Sequence, residues 1–137
     1  MRVGFTGSRH GIGRDRVLPL LKLLDSLKPS ELHHGDCVGA DQDAHVLACD
    51  LKIPIVIHPP VSNQYRARMQ YGDPTILPPK PYLARNHDIV DAVEVLVACP
   101  REATEVQRSG TWATVRYARK RGVPVKLIYP RGEIKCE

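Results

Sequence analysis

The chain has 137 residues, 42% of them hydrophobic and 26% charged, with a formal net charge of +5. That length and apolar content suit one domain that builds its core without disulfides. No apolar run nears the roughly 18 residues of a membrane helix, and Met1–Gly7 reads as a strand entering a turn, not as a secretory leader. A cytoplasmic protein with no membrane partner is therefore expected. Cys37, Cys49, Cys99 and Cys136 form no C-x-x-C pair, which argues against a zinc ribbon or thioredoxin-type site and for four reduced thiols. Neither a metal nor a resident cofactor is expected. The positive excess favours an anionic partner: a phosphate, a nucleotide or a nucleic acid.

Strand and helix signals alternate along the chain. A strand over 2–6 leads through Gly7-Ser8-Arg9-His10-Gly11-Ile12-Gly13 into a helix ending near Leu27, with Val17, Leu20, Leu21 and Leu24 at helical spacing. A short strand over 31–34 follows. It carries His33 and His34, which face opposite ways and so cannot share a metal. Gly35-Asp36-Cys37-Val38-Gly39-Ala40-Asp41 then opens a helix with Ala44, Leu47, Ala48 and Leu51 on one side. The apolar run 53–57 suits a strand buried on both faces of a parallel sheet. Between His58 and Pro81 lies an irregular stretch with six prolines. Structureless segments of that length are uncommon in compact domains and often serve binding; Tyr65, Arg66, Arg68 and Tyr71 lie in it. A helix over 82–92, a strand over 93–98, a helix over 111–121 with Trp112, Val115 and Ala118 inward and Gly122 as cap, and a strand over 123–129 complete the series. The polar tail 130–137 reads as frayed.

This order predicts a doubly wound parallel α/β sheet of about five strands in three layers, forming a single domain over 1–137. If the strands run 3-2-1-4-5, ligands bind beyond the carboxyl ends of strands one and four. Four segments at such ends have phosphate chemistry. Gly7-Ser8-Arg9 allows close approach of backbone N–H groups, with Arg9 as a charged contact. Gly35, Asp36, Gly39 and Asp41 lie in a second glycine loop, where Asp41 either caps the helix or accepts from a ribose or base. Arg85 and Asn86 offer a phosphate clamp and a sugar or base contact. Ser109-Gly110-Thr111 opens the last helix, where free N–H groups, hydroxyls and the positive dipole end favour an anion. Gly11-x-Gly13 does not make the usual dinucleotide fingerprint, and no acidic residue ends strand two to hold an adenosine ribose.

Together, Gly7-Ser8-Arg9, the Gly35–His45 segment, Arg85-Asn86 and Arg108-Ser109-Gly110 resemble the SLOG superfamily of Rossmann-like domains over residues 1 to 130. The DprA/Smf-like branch is the nearer match and the lonely guy phosphoribohydrolases the more distant one. The resemblance implies a Rossmann-like fold, a nucleotide-type ligand in the glycine loops, and a homodimer. The phosphoribohydrolases place a catalytic Glu three residues beyond a Gly-Thr pair; aligning Gly110-Thr111 puts Thr114 there, and Thr is no general base at neutral pH. The reading that follows is a binding module or sensor for a nucleotide or nucleotide-derived phosphorylated ligand. The alternatives are a DprA-like single-stranded DNA binder, short of stacking platforms with one Trp and one Phe, and an N-glycosidic hydrolase of nucleoside monophosphates, with Asp41 as its best catalytic candidate.

Overall fold

The computed structural model describes all 137 residues. In chain order the elements are β1 (Arg2–Gly7), α1 (Arg14–Leu27), β2 (Glu31–His34), α2 (Ala40–Asp50), β3 (Ile55–Ile57), β4 (Thr75–Ile76), α3 (Tyr82–Asp91), β5 (Val95–Cys99), α4 (Gly110–Arg121), β6 (Val125–Ile128) and β7 (Ile134–Cys136). They form one sheet in the order β4-β3-β2-β1-β5-β6-β7. Its five central strands, β3-β2-β1-β5-β6, are all parallel, and their order is the 3-2-1-4-5 arrangement on which the placing of the ligand loops is conditional.

The alternation along β5 shows how the layers form. Val95, Val97 and Cys99 pack with Leu20 and Leu24 of α1 and Ala44 and Ala48 of α2 on one face. Leu96 and Ala98 pack with Val90 of α3 and Trp112, Val115 and Ala118 of α4 on the other. A strand whose five residues are all buried thus reads as a continuous apolar run. The result is a Rossmann-like α/β domain with helices on both faces.

Three expectations change. The tail does not fray: β7 pairs antiparallel with β6, and Arg119 holds Glu137 through two hydrogen bonds of 2.7 and 2.9 Å. The sheet therefore has seven strands, not about five, and its last pair is antiparallel. The stretch from His58 to Pro81 is not structureless, since it contributes β4 and bridges Cys37 with Arg66 and Pro60 with Lys80. Finally, Val17 is exposed, and the face of α1 that turns inward carries Arg16 beside Leu20 and Leu24.

Candidate functional site: a cleft at the carboxyl ends of β1 and β5

The chain leaves β1 toward β2 on one side and returns through β5 on the other, so the loops after β1 and β5 diverge and open a crevice. There the structure has a cleft of about 430 Å³. Of the residues singled out from the sequence, Gly7, Ser8, Arg9, Gly35, Asp41, Arg85, Asn86, Ser109, Gly110 and Thr111 line it. Asp36 and Gly39 do not, and their positions explain why.

The loop after β1 is held from below. Arg16 is 4% exposed, and it donates from Nε to the Ile12 carbonyl at 2.7 Å and from Nη1 to the Pro100 and Ile128 carbonyls at 2.5 and 3.1 Å. One side chain thus ties together the loop after β1, the end of β5 and the end of β6. Burial pushes its pKa down. Above it, the Ser8 carbonyl accepts from Gly11 N and Ala40 N, and Ser8 Oγ accepts from His10 N at 3.0 Å. Arg9 stacks over the Tyr65 ring at 4.0 Å, a cation–π contact that brings the 58–81 segment to the cleft.

The second glycine loop has a different task from the one expected of Asp36 and Gly39. Gly39 takes φ +93°, and a Cβ there would collide with the Arg9 carbonyl; it lets two loops touch. Gln42 Oε1 reaches back to accept from Gly39 N at 2.9 Å, so Gly39, and not Asp41, caps α2. Asp36 turns its carboxylate away from the cleft. It accepts from Arg68 N at 3.2 Å, Met69 N at 3.0 Å and Arg66 Nε at 3.4 Å, fastening the long segment to the end of β2.

Asp41 faces the cleft. It is 6% exposed; Oδ2 accepts from Cys37 N at 3.1 Å, and Oδ1 has no hydrogen-bond partner. Burial pushes its carboxyl up to about 6 against the opposing pull of Arg85. Arg85, 4% exposed, donates to the carbonyls of Gly35 and His58, and its Nε donates to Asn86 Oδ1 at 2.8 Å. The expected Arg85–Asn86 clamp is therefore bonded within itself: Arg85 is a buried cation in the wall, and Asn86 orients it.

Across the cleft, Ser109 caps α4, its Oγ accepting from Trp112 N at 3.2 Å. The N–H groups of Gly110 and Thr111 come too early to bond within the helix, and they take no other protein acceptor. A Cβ built on Gly110 meets nothing within 4 Å. Thr114 Oγ1 donates to the Gly110 carbonyl at 2.9 Å, so this hydroxyl is committed to the helix.

Sequence reasoning missed the wiring around β2. Asp36 N donates to His34 Nδ1 at 2.9 Å, which leaves the proton on His34 Nε2 to be donated to His45 Nδ1 at 2.8 Å. His45 Nε2 then donates to the Tyr71 carbonyl at 2.6 Å. His33 Nε2 bonds Glu31, and its Nδ1 meets His58 Nε2 at 2.8 Å. Burial pushes His34 down to about 3 and His58 down to about 4. The adjacent pair His33-His34 on a strand was the available signal: its two members do face different partners, which turn out to be imidazoles. No group of three or more His, Cys, Asp or Glu side chains is placed to hold a metal ion, and no helix is long and apolar enough to cross a membrane.

No family model matches the chain, and no curated protein matches its sequence. Solved structures do share its fold. The molybdenum cofactor binding protein of the phototrophic bacterium Rippkaea orientalis superposes with a TM-score of 0.71 at 22% identity, covering 93% of this chain and 76% of that one. The structural-genomics target TM1055 superposes with a TM-score of 0.67 at 15% identity, covering 90% and 71%. At these identities the likeness establishes the Rossmann-like α/β fold.

Proposed function

We propose that this protein binds a nucleotide or nucleotide-derived phosphorylated small molecule in the cleft between β1 and β5, as a binding module or sensor. The observation that carries this reading is the start of α4. The two free N–H groups of Gly110 and Thr111 sit at the positive end of a twelve-residue helix, in the same cleft as Gly7 and Ser8. Backbone donors, hydroxyls and the helix dipole together make an anion site. The cofactor-binding neighbour with the same fold supports a small molecule over a polymer, as do the general habits of the SLOG superfamily; its nearer DprA/Smf-like branch is the source of the DNA-binding alternative. The experiment is a thermal-shift panel of nucleoside mono-, di- and triphosphates, cyclic and ribosylated derivatives, the molybdenum cofactor and short single-stranded DNA. A ligand at 100 times its Kd stabilises by about 2.7 kcal/mol, a shift of several degrees. A steep loss of DNA affinity with salt, without any response to small phosphorylated ligands, would transfer the site to the DNA-binding alternative.

Asp41 favours a second reading, N-glycosidic hydrolysis of a nucleoside monophosphate. A buried carboxyl raised to about 6 in a cleft suits a general acid or base. Release of free adenine from adenosine monophosphate, abolished by Asp41→Asn, would establish it. Binding without turnover is the expected outcome, because Thr114 stands where the phosphoribohydrolases place Glu. The homodimer is likewise our proposal, resting on the superfamily resemblance and on the frequency of two-fold pairing; light scattering at micromolar concentration tests it.

A further inference from the structure

We infer that the ligand of this cleft carries two linked phosphates, a pyrophosphate or nucleoside diphosphate group, held at two separate subsites. The inference rests on the cleft being the phosphate site. Four arginines line it: Arg9, Arg85, Arg101 and Arg108. None has a carboxylate oxygen within 4.0 Å; elsewhere Arg14, Arg16, Arg68 and Arg131 also have none, while Arg2, Arg66, Arg116, Arg119 and Arg121 each hold one, so what distinguishes the cleft is four such cations converging on one space. Arg85 in particular is a nearly buried guanidinium whose partners are carbonyls, Asn86 Oδ1 and the Cys37 thiol. Asp41 is the carboxylate whose charge couples to it, so the unmatched positive charge rests on Arg9, Arg101 and Arg108, and an anionic ligand supplies the counter-charge. The two acids in the lining, Asp41 and Glu102, offset only part of this excess.

The donors divide into two sets. One is the start of α4: Gly110 N, Thr111 N, the Ser109 and Thr111 hydroxyls, and Arg108 beside them. A terminal phosphate has three free oxygens, and this set satisfies them. The other set belongs to the loop after β1. Arg101 reaches across the switch point, and its Nη1 bonds His10 Nε2 at 2.9 Å, which fixes its guanidinium over the loop that presents Arg9. Arg9 and Arg101 are in excess of what one phosphate at α4 can use. They bracket the place where a second phosphate, linked to the first, would lie. Asp41, with its unpartnered oxygen, stands with Cys37 and Arg85 at the other side. Tyr82 stacks on Arg85 there, whereas Tyr65 stacks on Arg9 in the second set and Glu102, next to Arg101, holds another unpartnered oxygen; the Tyr82 face beside Asp41 suits a heterocycle.

Titration calorimetry on the full chain, at fixed low ionic strength, tests this with inorganic phosphate, inorganic pyrophosphate, adenosine monophosphate and adenosine diphosphate. A charge-assisted contact to a second phosphate should make pyrophosphate bind about tenfold or more tighter than phosphate, and the diphosphate tighter than the monophosphate by a similar factor. Arg101→Gln should erase that gain while leaving phosphate binding unchanged; Arg108→Gln should weaken both anions. Both arginines are exposed, so melting temperature should hold. Equal affinity for phosphate and pyrophosphate, or an Arg101→Gln loss shared equally by the two, overturns the second subsite while leaving a single phosphate site standing. Absence of binding by all four compounds overturns the phosphate reading itself.

Discussion

Replacing Gly110 by Asp separates a ligand site from a turn. In the folded chain a Cβ at Gly110 meets no atom within 4 Å, so Asp fits without collision. The residue opens α4 after the Ser109 cap, where an acidic side chain is favoured by the helix dipole by about 0.3–1 kcal/mol. Stability should therefore be unchanged or slightly raised. The same carboxylate projects into the space in front of the free N–H groups of Gly110 and Thr111. Two unit charges about 4 Å apart repel by about 4 kcal/mol at an effective dielectric of 20. The cleft is open to water, so half of that, about 2 kcal/mol, is the appropriate figure, equivalent to about thirtyfold in affinity. The assay measures melting temperature and affinity for the best phosphorylated ligand on one sample. A variant that melts like the wild type and binds thirtyfold more weakly fits the site. A variant that melts like the wild type and binds equally well would show that no phosphate sits at α4.

Gly39→Ala tests the opposite kind of glycine: φ +93° and the Arg9 carbonyl leave no room for a methyl group, so it should destabilise by about 2 kcal/mol or more, read by urea unfolding. Arg16→Leu should lose about 3 kcal/mol or more in the same assay, because it strands three carbonyls that share one guanidinium. The pH dependence of stability has two opposing parts. His34 and His58, depressed to about 3 and about 4, leave the unfolded chain binding more protons below its ordinary histidine pKa of about 6.5; stability falls as pH drops from 6.5 toward 4. Asp41, raised to about 6, makes the folded chain bind more protons between about 4 and 6, so its contribution falls as pH rises through that window. Near pH 5.5 the two histidines contribute a slope of up to about 2.7 kcal/mol per pH unit and Asp41 opposes with up to about 1.4. Asp41→Asn should steepen the acid loss accordingly; an unchanged slope in chemical denaturation across pH 5 to 6.5 would refute the assignment of that carboxyl.

The central architecture was legible because parallel strands buried on both faces are apolar throughout, as in Val95–Cys99, and because Gly and Ser cluster where strands turn into helices. The edges were not. Ile134–Cys136 is short and exposed, and its strand character comes from β6 beside it, not from its own residues. Arg16 was illegible for a related reason: an arginine in the first turn of an amphipathic helix ordinarily reaches solvent, and only the convergence of three loop ends over it makes burial possible. In the cleft, the sequence located the glycine loops and the start of α4, but residue type alone could not distinguish Asp36 from Asp41. One carboxylate fastens a loop and the other faces the cleft. The difference lies in the left-handed backbone at Asp36, φ 58°, which no periodicity reveals.

The hydrogen-bond chain through His34 and His45 ends on the Tyr71 carbonyl, in the same segment that carries Tyr65 to Arg9. Its donors and acceptors alternate in one sense only, from the Asp36 amide to Tyr71, and each imidazole must be neutral to pass the pattern on. A single proton added anywhere along it sets two N–H groups against each other. The protonation state of His34 on β2 and His45 on α2 is therefore tied to the segment that carries Tyr65 to the cleft. Acid should loosen the part of the 58–81 segment around Tyr71, visible as faster amide exchange there, while the α1–α2 and α3–α4 layers remain closed.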